Sequence, residues 1–282
     1  MSTEEFNKIN HSEAKKALLF CCTSQKWANT MMTFYPFSSE KEMVKHAIEI
    51  WYNECGMEDF LEAFTHHPEI GDIKSLQEKY AGQEQASISE ANNETIQTLM
   101  DANKEYKEKF GFIFIVCATG KSAVEMLQLL HCRLENTVEE EINIAMGEQM
   151  KITIIRLQKM VQEADWTFLK ASQITTHVLD TSYGKPGKNI CIRLQKKMPT
   201  GWQTMSQGIT NADGRVPDLL PPERILPKGS YNVNFDTQTY YNTQNTACFY
   251  PEVNIQFNIW DENHYHIPLL ISPFGYTTYR GS

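Results

Sequence analysis

The spacing of apolar residues divides the chain into a front part with helical periodicity and a back part that alternates as β-strands do. From residue 11 to about residue 165, apolar side chains recur three and four positions apart and so share one helix face. One such face is formed by Val44, Ala47, Ile48 and Trp51. Ser38 and Ser39, followed by Glu42, predict the start of that helix, because a hydroxyl and a carboxylate can satisfy its free N–H groups. The front part is therefore predicted to be all-α.

Three further helices are predicted at 88–110, 123–134 and 138–161, and Gly111 is expected to end the first of them. Between the first two lies the run Phe-Ile-Phe-Ile-Val at 112–116, which is apolar and rich in β-branched residues. This run is too short for a helix and predicts a buried, extended connector.

The back part has the pattern of an all-β domain. Nine of the eleven prolines lie between Ile174 and Ser282, and segments 190–194, 231–235 and 254–260 alternate between apolar and polar residues. Regular short strands separated by glycine and proline turns predict a β-sandwich of about 110 residues. The predicted fold class is thus a multidomain chain, with an all-α domain at 1–166, a linker at 167–172 and an all-β domain at 173–282.

Composition narrows the class of protein. The net charge of −9 argues against a nucleic-acid surface, which needs a basic stripe. Seven scattered cysteines without a Cys-x-x-Cys pair favour reduced thiols over zinc or a disulfide framework. The acidic N-terminus is unlike a signal peptide, and no apolar run approaches the length of a membrane span. We therefore expect a cytoplasmic protein without a membrane partner; a peroxisomal setting stays open, although the C-terminus lacks a Ser-Lys-Leu address.

Four motifs in the back part occur in a fixed order: His-Val-Leu-Asp at 177–180, Asp-Gly-Arg at 213–215, Tyr-His-Ile-Pro-Leu-Leu at 265–270 and Tyr-Arg-Gly-Ser at 279–282. Together they resemble 5-hydroxyisourate hydrolase, the enzyme relative of transthyretin. The resemblance covers residues 174–282. It implies a transthyretin-like sandwich that forms a homo-oligomer, a dimer or a tetramer, with active sites at subunit interfaces.

The resemblance also implies roles for five residues. His177 and His266 would be the acid/base pair, since an imidazole has both protonation states accessible at neutral pH. Arg215 would polarise the reacting carbonyl or hold the ring, as hydrolysis of a cyclic amide develops an oxyanion. Tyr279 and Ser282 would close the pocket and position water. The aromatic C-terminal segment is accordingly expected to be packed.

Two simpler interpretations of these histidines stay open at this point. A histidine on a strand, such as His177, is often only structural. His264 and His266 lie two residues apart on one strand face, which is a spacing found in metal sites. No third ligand is evident in the sequence, so no metal and no cofactor are predicted.

The front part contains Thr-His-His-Pro-Glu-Ile-Gly-Asp at 65–72, followed by Glu84 and Gln85. A residue before proline is extended or in a turn, so His67 should lie at a helix end. With the segments at 103–116, 133–136 and 156–157, this pattern resembles the decarboxylase of 2-oxo-4-hydroxy-4-carboxy-5-ureidoimidazoline (OHCU), an all-helical family. One departure is Ala81, where the family often has a hydroxyl residue, and it puts one substrate hydrogen bond in doubt.

This second resemblance, over residues 5–165, implies that His67 handles the proton and that Glu84 fixes its tautomer. Arg156 would contact a carboxylate or ureido group, because a guanidinium suits paired oxygens. Pro68 and the backbone from Ile115 to Ala118 would line the site. The ring's own C=N group can accept the electron pair, so neither pyridoxal nor thiamine is required. Without the resemblance, Arg156 would be interpreted as a surface charge.

The two resemblances imply consecutive reactions, since the product of the hydrolase is the substrate of the decarboxylase. The chain is therefore predicted to convert 5-hydroxyisourate to (S)-allantoin. Two alternatives stay open. One is a transthyretin-like small-molecule carrier with a helical dimerisation domain, and the other is a hydrolase whose helical half is inactive.

Overall fold

The computed structural model describes residues 1–65, 67 and 90–281, with the backbone alone at 90–93. Within these residues the front part is all-α, which confirms the predicted class of this half. Its helices are α1 (Thr3–Phe6), α2 (His11–Cys21), α3 (Gln25–Met32), α4 (Glu40–Asn53), α5 (Met57–Thr65), α6 (Glu90–Phe110), α7 (Ala123–Leu134) and α8 (Val138–Met160). None of the described helices is long and apolar enough to cross a bilayer.

The predicted helix ends that lie in the described part fall within one residue of the observed ends. The Ser39 hydroxyl accepts a hydrogen bond from the Glu42 N–H at 3.2 Å and caps α4. Gly111 ends α6 with a φ of +78°, a conformation that side chains disfavour. The predicted helix at 138–161 is one residue shorter, since Val161 has left the helical conformation at the end of α8. Residues 88 and 89 lie outside the described residues.

The connector at 112–116 is neither helix nor strand, and it is buried as predicted except at the half-buried Ile113. Phe112 and Phe114 pack edge-on against Tyr106 of α6. Arg133 of α7, fully buried, donates from Nη1 to the carbonyl of Ile115 at 2.7 Å. The connector is therefore held on one side by aromatic packing and on the other by a buried guanidinium.

The back part is a sandwich of two sheets, which confirms the predicted all-β class. The strands are β1 (Ile174–Asp180), β2 (Lys185–Pro186), β3 (Cys191–Met198), β4 (Gly201–Ile209), β5 (Arg215–Val216), β6 (Gly229–Asp236), β7 (Glu252–Ile259), β8 (Tyr265–Ser272) and β9 (Gly275–Thr278), with helix α9 (Thr237–Asn242) between β6 and β7. One sheet has the order β2-β1-β8-β9, with β5 also paired to β1, and the other has the order β4-β3-β6-β7. Strand β1 runs parallel to β8, and the other pairs are antiparallel. The core between the sheets includes Val178, Leu194, Val233 and Leu269.

The two parts meet where α7 and α8 pack against β4. Thr204 of β4 donates to Glu140 at 2.8 Å, and Asn136 donates to the side-chain oxygen of Gln207 at 2.8 Å. Ile209 of β4 packs against the core of the helical part. The last helix before the sandwich ends at Met160 and the first strand begins at Ile174. The finer domain boundaries at 166 and 173 stay a prediction.

Candidate active sites

The first candidate site lies on the outer face of the sheet that contains β1. Side chains of Thr175 and His177 are two residues apart and so share one face of β1, opposite the buried Thr176 and Val178. Arg215 of β5 is the direct cross-strand partner of His177. Directly opposite residues of antiparallel strands project to the same face, so the guanidinium and the imidazole are neighbours.

His266 reaches the same face from the other side of β1. It is the register partner of Thr175 in the parallel β1–β8 pair. Its Nδ1 is 2.9 Å from the Thr175 hydroxyl, which is also 2.8 Å from Nε2 of His264. The structure therefore brings His177, Arg215 and His266 together across three neighbouring strands.

Both imidazoles in this site are held toward the neutral form. Burial lowers the pKa of His177 below 6.5, and the nearby Arg215 cation lowers it further. The pKa of His266 is lowered by burial, then by Arg215, His264 and His177. A neutral imidazole can accept a proton from water, so near neutral pH the site has a base beside a fixed cation.

Removing the positive charge of Arg215 should raise the pKa of both imidazoles, because that cation destabilises their protonated forms. We expect the variant Arg215→Gln to shift the histidine titrations upward in an NMR pH series, and Arg215→Lys, which keeps the charge, to leave them low. Identical titrations in Arg215→Gln and the original chain would show that Arg215 does not act on these histidines electrostatically.

The C-terminal segment is bound to the site through its backbone. The Gly281 N–H donates to the carbonyl of His266 at 3.1 Å, and β9 pairs with β8. A Cβ at Gly281 would lie 2.4 Å from Cδ2 of His266, so only glycine permits the chain to pass this close to the imidazole. The guanidinium of Arg280 lies 5.6 Å from the ring centre of Trp260.

The C-terminal segment is held by its backbone, as expected, but its tyrosine side chains are exposed in this single chain. Tyr279 is 60% exposed and Tyr276 is 43% exposed. The physical reason is that β9 is an edge strand, which pairs with β8 on one side and has no neighbouring strand on the other to cover its side chains. Ser282 lies outside the described residues. Among the residues that the structure describes, no three histidine, cysteine or acidic side chains are close enough together to hold a metal ion.

The second candidate site is centred on His67, just after the end of α5. Its Nε2 is 2.6 Å from the side-chain oxygen of Gln149, which is fully buried in α8. The amide nitrogen of Gln149 donates to the Thr153 hydroxyl at 3.2 Å, which turns the amide oxygen toward His67. In the neutral imidazole the proton therefore sits on Nε2, and Nδ1 is the basic nitrogen.

Gln149 is a site residue that sequence reasoning missed. Gln149, Thr153 and Arg156 follow one another at spacings of four and three, so they lie on one face of α8. This polar stripe is the signal in the sequence that could have revealed it. The predicted partner of His67, Glu84, lies outside the described residues, as does Pro68.

Arg156 lies two turns along α8 from Gln149. Its Nη1 donates to the carbonyls of Phe20 and Cys21, at 3.4 and 3.3 Å, where α2 ends. A cation at a helix C-terminus is favoured by the helix dipole, so this contact fixes the guanidinium in place. Its predicted role toward a substrate carboxylate stays a prediction.

In the predicted lining segment from Ile115 to Ala118, backbone N–H and carbonyl groups form hydrogen bonds within the protein. The carbonyl of Ile115 is occupied by Arg133, and the Cys117 N–H donates to the Glu148 carboxylate at 2.7 Å. The carbonyl of Ala118 accepts the Lys121 N–H at 3.2 Å. A cavity of about 310 Å³ opens beside His67, between α5, α6 and the start of the connector, and is lined by Leu61, Phe64, Thr65, Lys107, Gly111, Phe112 and Ile113.

Two family models match the two halves. The family described as "OHCU decarboxylase" matches residues 7–158, and the "HIUase/Transthyretin family" matches residues 174–281. The first match covers the candidate site at His67, and the second covers the candidate site at His177, Arg215 and His266. The fold and the sites therefore define a two-domain enzyme, with a decarboxylase domain followed by a hydrolase domain.

Known relatives match one or both halves. The "Uric acid degradation bifunctional protein TTL" of Arabidopsis thaliana is 32% identical over 93% of this chain and 96% of its own length. The 5-hydroxyisourate hydrolase of Mus musculus is 45% identical over 40% of this chain and 98% of its own length. A solved structure of (S)-allantoin synthase covers 100% of both chains, with 24% identity and a TM-score of 0.46.

The chain belongs to the family of bifunctional uric acid degradation proteins, in which an OHCU decarboxylase domain is joined to a hydroxyisourate hydrolase domain.

Proposed function

We propose that the back domain hydrolyses 5-hydroxyisourate to OHCU and that the front domain decarboxylates OHCU to (S)-allantoin. The observation that carries this proposal is the match of both halves of one chain to these two enzyme families. Each half also has a histidine beside groups that fix its charge or tautomer. The substrates are small molecules, and the proposed chemistry needs no cofactor.

In the hydrolase site, a neutral imidazole of the His177–His266 pair would take a proton from water as the oxygen attacks the ring carbonyl. The developing oxyanion would be stabilised by Arg215, which lies opposite His177. When the carbon–nitrogen bond breaks, the proton passes from the imidazolium to the leaving nitrogen. The lowered pKa of both histidines supports this cycle, because the base form is populated at neutral pH.

In the decarboxylase site, the carbon–carbon bond to the carboxylate breaks, carbon dioxide leaves, and the electron pair moves into the adjoining C=N group. The carbon that lost the carboxylate then needs a proton on one face. We assign this delivery to His67 in its protonated form: Nδ1 would give its proton to the carbon, while Nε2–H keeps its hydrogen bond to Gln149. Arg156, fixed against the end of α2, would hold the carboxylate or the ureido group before the bond breaks.

We also propose that the chain works as a homo-oligomer in the cytoplasm. Four large aromatic side chains at the C-terminal end of the chain are exposed: Trp260, Phe274, Tyr276 and Tyr279. Exposed apolar surface of this kind is expected to be covered by another protein surface. Sedimentation analysis of the full chain should give at least twice the monomer mass of 32.5 kDa, and a monomer at working concentration would contradict the proposal.

Single substitutions should separate the two reactions. With freshly made 5-hydroxyisourate, His67→Asn should slow decarboxylation by about 10²–10⁴-fold, since it removes the proton donor, and leave hydrolysis at its original rate. His266→Asn should slow the first reaction and leave the second intact when OHCU is supplied by a separate hydrolase. Ultraviolet absorbance and circular dichroism follow both steps, and His46→Asn, on α4 outside both sites, is the matched control.

The same assay decides between the proposed function and its alternatives. A small-molecule carrier would not accelerate either step in the original chain. A hydrolase with an inactive helical half would accelerate the first step and accumulate OHCU. If His67→Asn decarboxylates as fast as His46→Asn, the assignment of the front site is wrong.

A further inference from the structure

A cluster of charged side chains crosses the interface between the two domains. Asp218, in the segment that follows β5, lies 2.9 Å from Nζ of Lys121 and 3.7 Å from Nζ of Lys151. Lys151 of α8 is 7% exposed and pairs at 2.5 Å with Glu148, which is 4% exposed. Asp218 belongs to the hydrolase domain, whereas the other three residues belong to the decarboxylase domain.

The cluster holds both backbone groups of Cys117. The Cys117 N–H donates to Oε2 of Glu148 at 2.7 Å, and the Cys117 carbonyl accepts from Nζ of Lys121 at 3.2 Å. Cys117 lies within the segment from Ile115 to Ala118 that is predicted to line the decarboxylase site. Glu148 also directly precedes Gln149, the residue that holds His67.

Asp218 is the carboxylate that both lysines share. Burial opposes its ionisation, but Lys151 and Lys121 more than offset this and lower the pKa of Asp218 to about 2. It is therefore a fixed anion at any working pH. Its side chain keeps 40% exposure, so solvent reaches one edge of the carboxylate while the lysines contact it from the protein side.

Without this anion the decarboxylase domain would have two lysines for one carboxylate at the interface. Lys151 is too deeply buried to be solvated, so Glu148 would have to neutralise it alone, and Lys121 would lose its partner at 2.9 Å. Without the ion pair, the ammonium group of Lys121 is expected to leave the Cys117 carbonyl and turn toward water. One of the two anchors of the lining segment would be released.

We propose that Asp218 of the hydrolase domain is a positioning residue for the decarboxylase reaction. Through Lys121, Lys151 and Glu148 it fixes the backbone of Cys117, and with it the segment that is predicted to line the site of the neighbouring domain. The hydrolase domain thereby completes the geometry of the decarboxylase domain. This inference rests on the proposed decarboxylase function.

The test compares Asp218→Asn, Asp218→Glu and Thr204→Val in the full chain. Thr204→Val removes another hydrogen bond across the same interface without touching the cluster. With OHCU supplied by an excess of a separate hydrolase, Asp218→Asn should raise KM for decarboxylation about fivefold with a smaller change in kcat. Asp218→Glu should recover most of the loss, because it restores the anion, and Thr204→Val should match the original chain.

A second readout does not depend on activity. Hydrogen exchange at the backbone amides of 115–118 should be faster in Asp218→Asn and unchanged in Thr204→Val. If the original chain does not decarboxylate OHCU, the proposed function fails, and the exchange data still decide the role of Asp218. Unchanged KM and unchanged exchange in Asp218→Asn overturn the inference, as does an equal effect of Thr204→Val.

A double-mutant cycle distinguishes the loss of this specific link from a general loss of stability. Lys121→Met breaks the same link from the decarboxylase side, so Asp218→Asn should add little to its effect on KM. Additive effects of the two substitutions would show that they act separately and would overturn the inference.

Discussion

Replacing Arg133 by methionine is expected to lower the free energy of unfolding of the helical domain by about 3–5 kcal/mol, because the change leaves a buried carboxylate without its cation. Glu141 is fully buried, and Nε of Arg133 donates to it at 2.6 Å. The same guanidinium also donates to the Ile115 carbonyl and lies 4.7 Å from the ring centre of Phe114. Urea unfolding followed by far-ultraviolet circular dichroism, which the helices dominate, measures the loss.

Two companion variants show whether the loss comes from the unpaired charge. Lys45→Met removes an exposed ion pair with Glu42 and should change the free energy of unfolding by less than about 1 kcal/mol. The double variant Arg133→Met with Glu141→Leu removes both buried charges and should be clearly more stable than Arg133→Met alone. A double variant as unstable as the single one would show that packing, not the charge, accounts for the loss.

Replacing Gly214 by alanine is expected to slow hydrolysis by about 100-fold, because it moves the two strands that carry the site. A Cβ on Gly214 would lie 2.3 Å from the carbonyl oxygen of Val178, and φ there is +72°. Val178 follows His177, Gly214 precedes Arg215, and the Val178 N–H donates to the Gly214 carbonyl at 2.8 Å. The clash must therefore separate the imidazole from the guanidinium.

Gly184→Ala is the matched control for this substitution. Gly184 has a φ of +62°, but a Cβ there would meet nothing within 4 Å. It should therefore share the backbone strain, about 1–2 kcal/mol, without displacing the site. Steady-state hydrolysis and decarboxylation rates of both variants give the test. Equal hydrolysis in Gly214→Ala and Gly184→Ala would show that Gly214 does not hold the two strands of the site in place.

The fold class could be predicted because in each half the apolar residues recur at one dominant spacing. Residues such as Val44, Ala47 and Trp51 repeat at helical spacing and are all buried. Ile255 and Ile259 alternate with exposed polar residues on β7, as a strand at the surface of a sandwich requires. Local periodicity and turn residues determine these elements, and neither depends on how the two domains meet.

The candidate sites could be predicted only in part. His177, Arg215 and His266 are brought together by strand register, which the motifs imply but spacing alone does not. The contact of Gln149 with His67 joins residues 82 positions apart, and Asp218 contacts Lys121 over 97 positions. Such partners depend on tertiary packing and on the domain interface, so no local pattern in the sequence specifies them. Gly281 is similar, since its need for a missing Cβ follows from the position of His266.

This one chain is expected to carry out both reactions in sequence. The most direct measurement adds the full chain to freshly made 5-hydroxyisourate and follows the circular dichroism of the product together with the release of carbon dioxide. We expect rapid release of one equivalent of carbon dioxide and a single enantiomer, (S)-allantoin. Accumulation of the carboxylated intermediate, or a racemic product formed at the spontaneous rate, would contradict it.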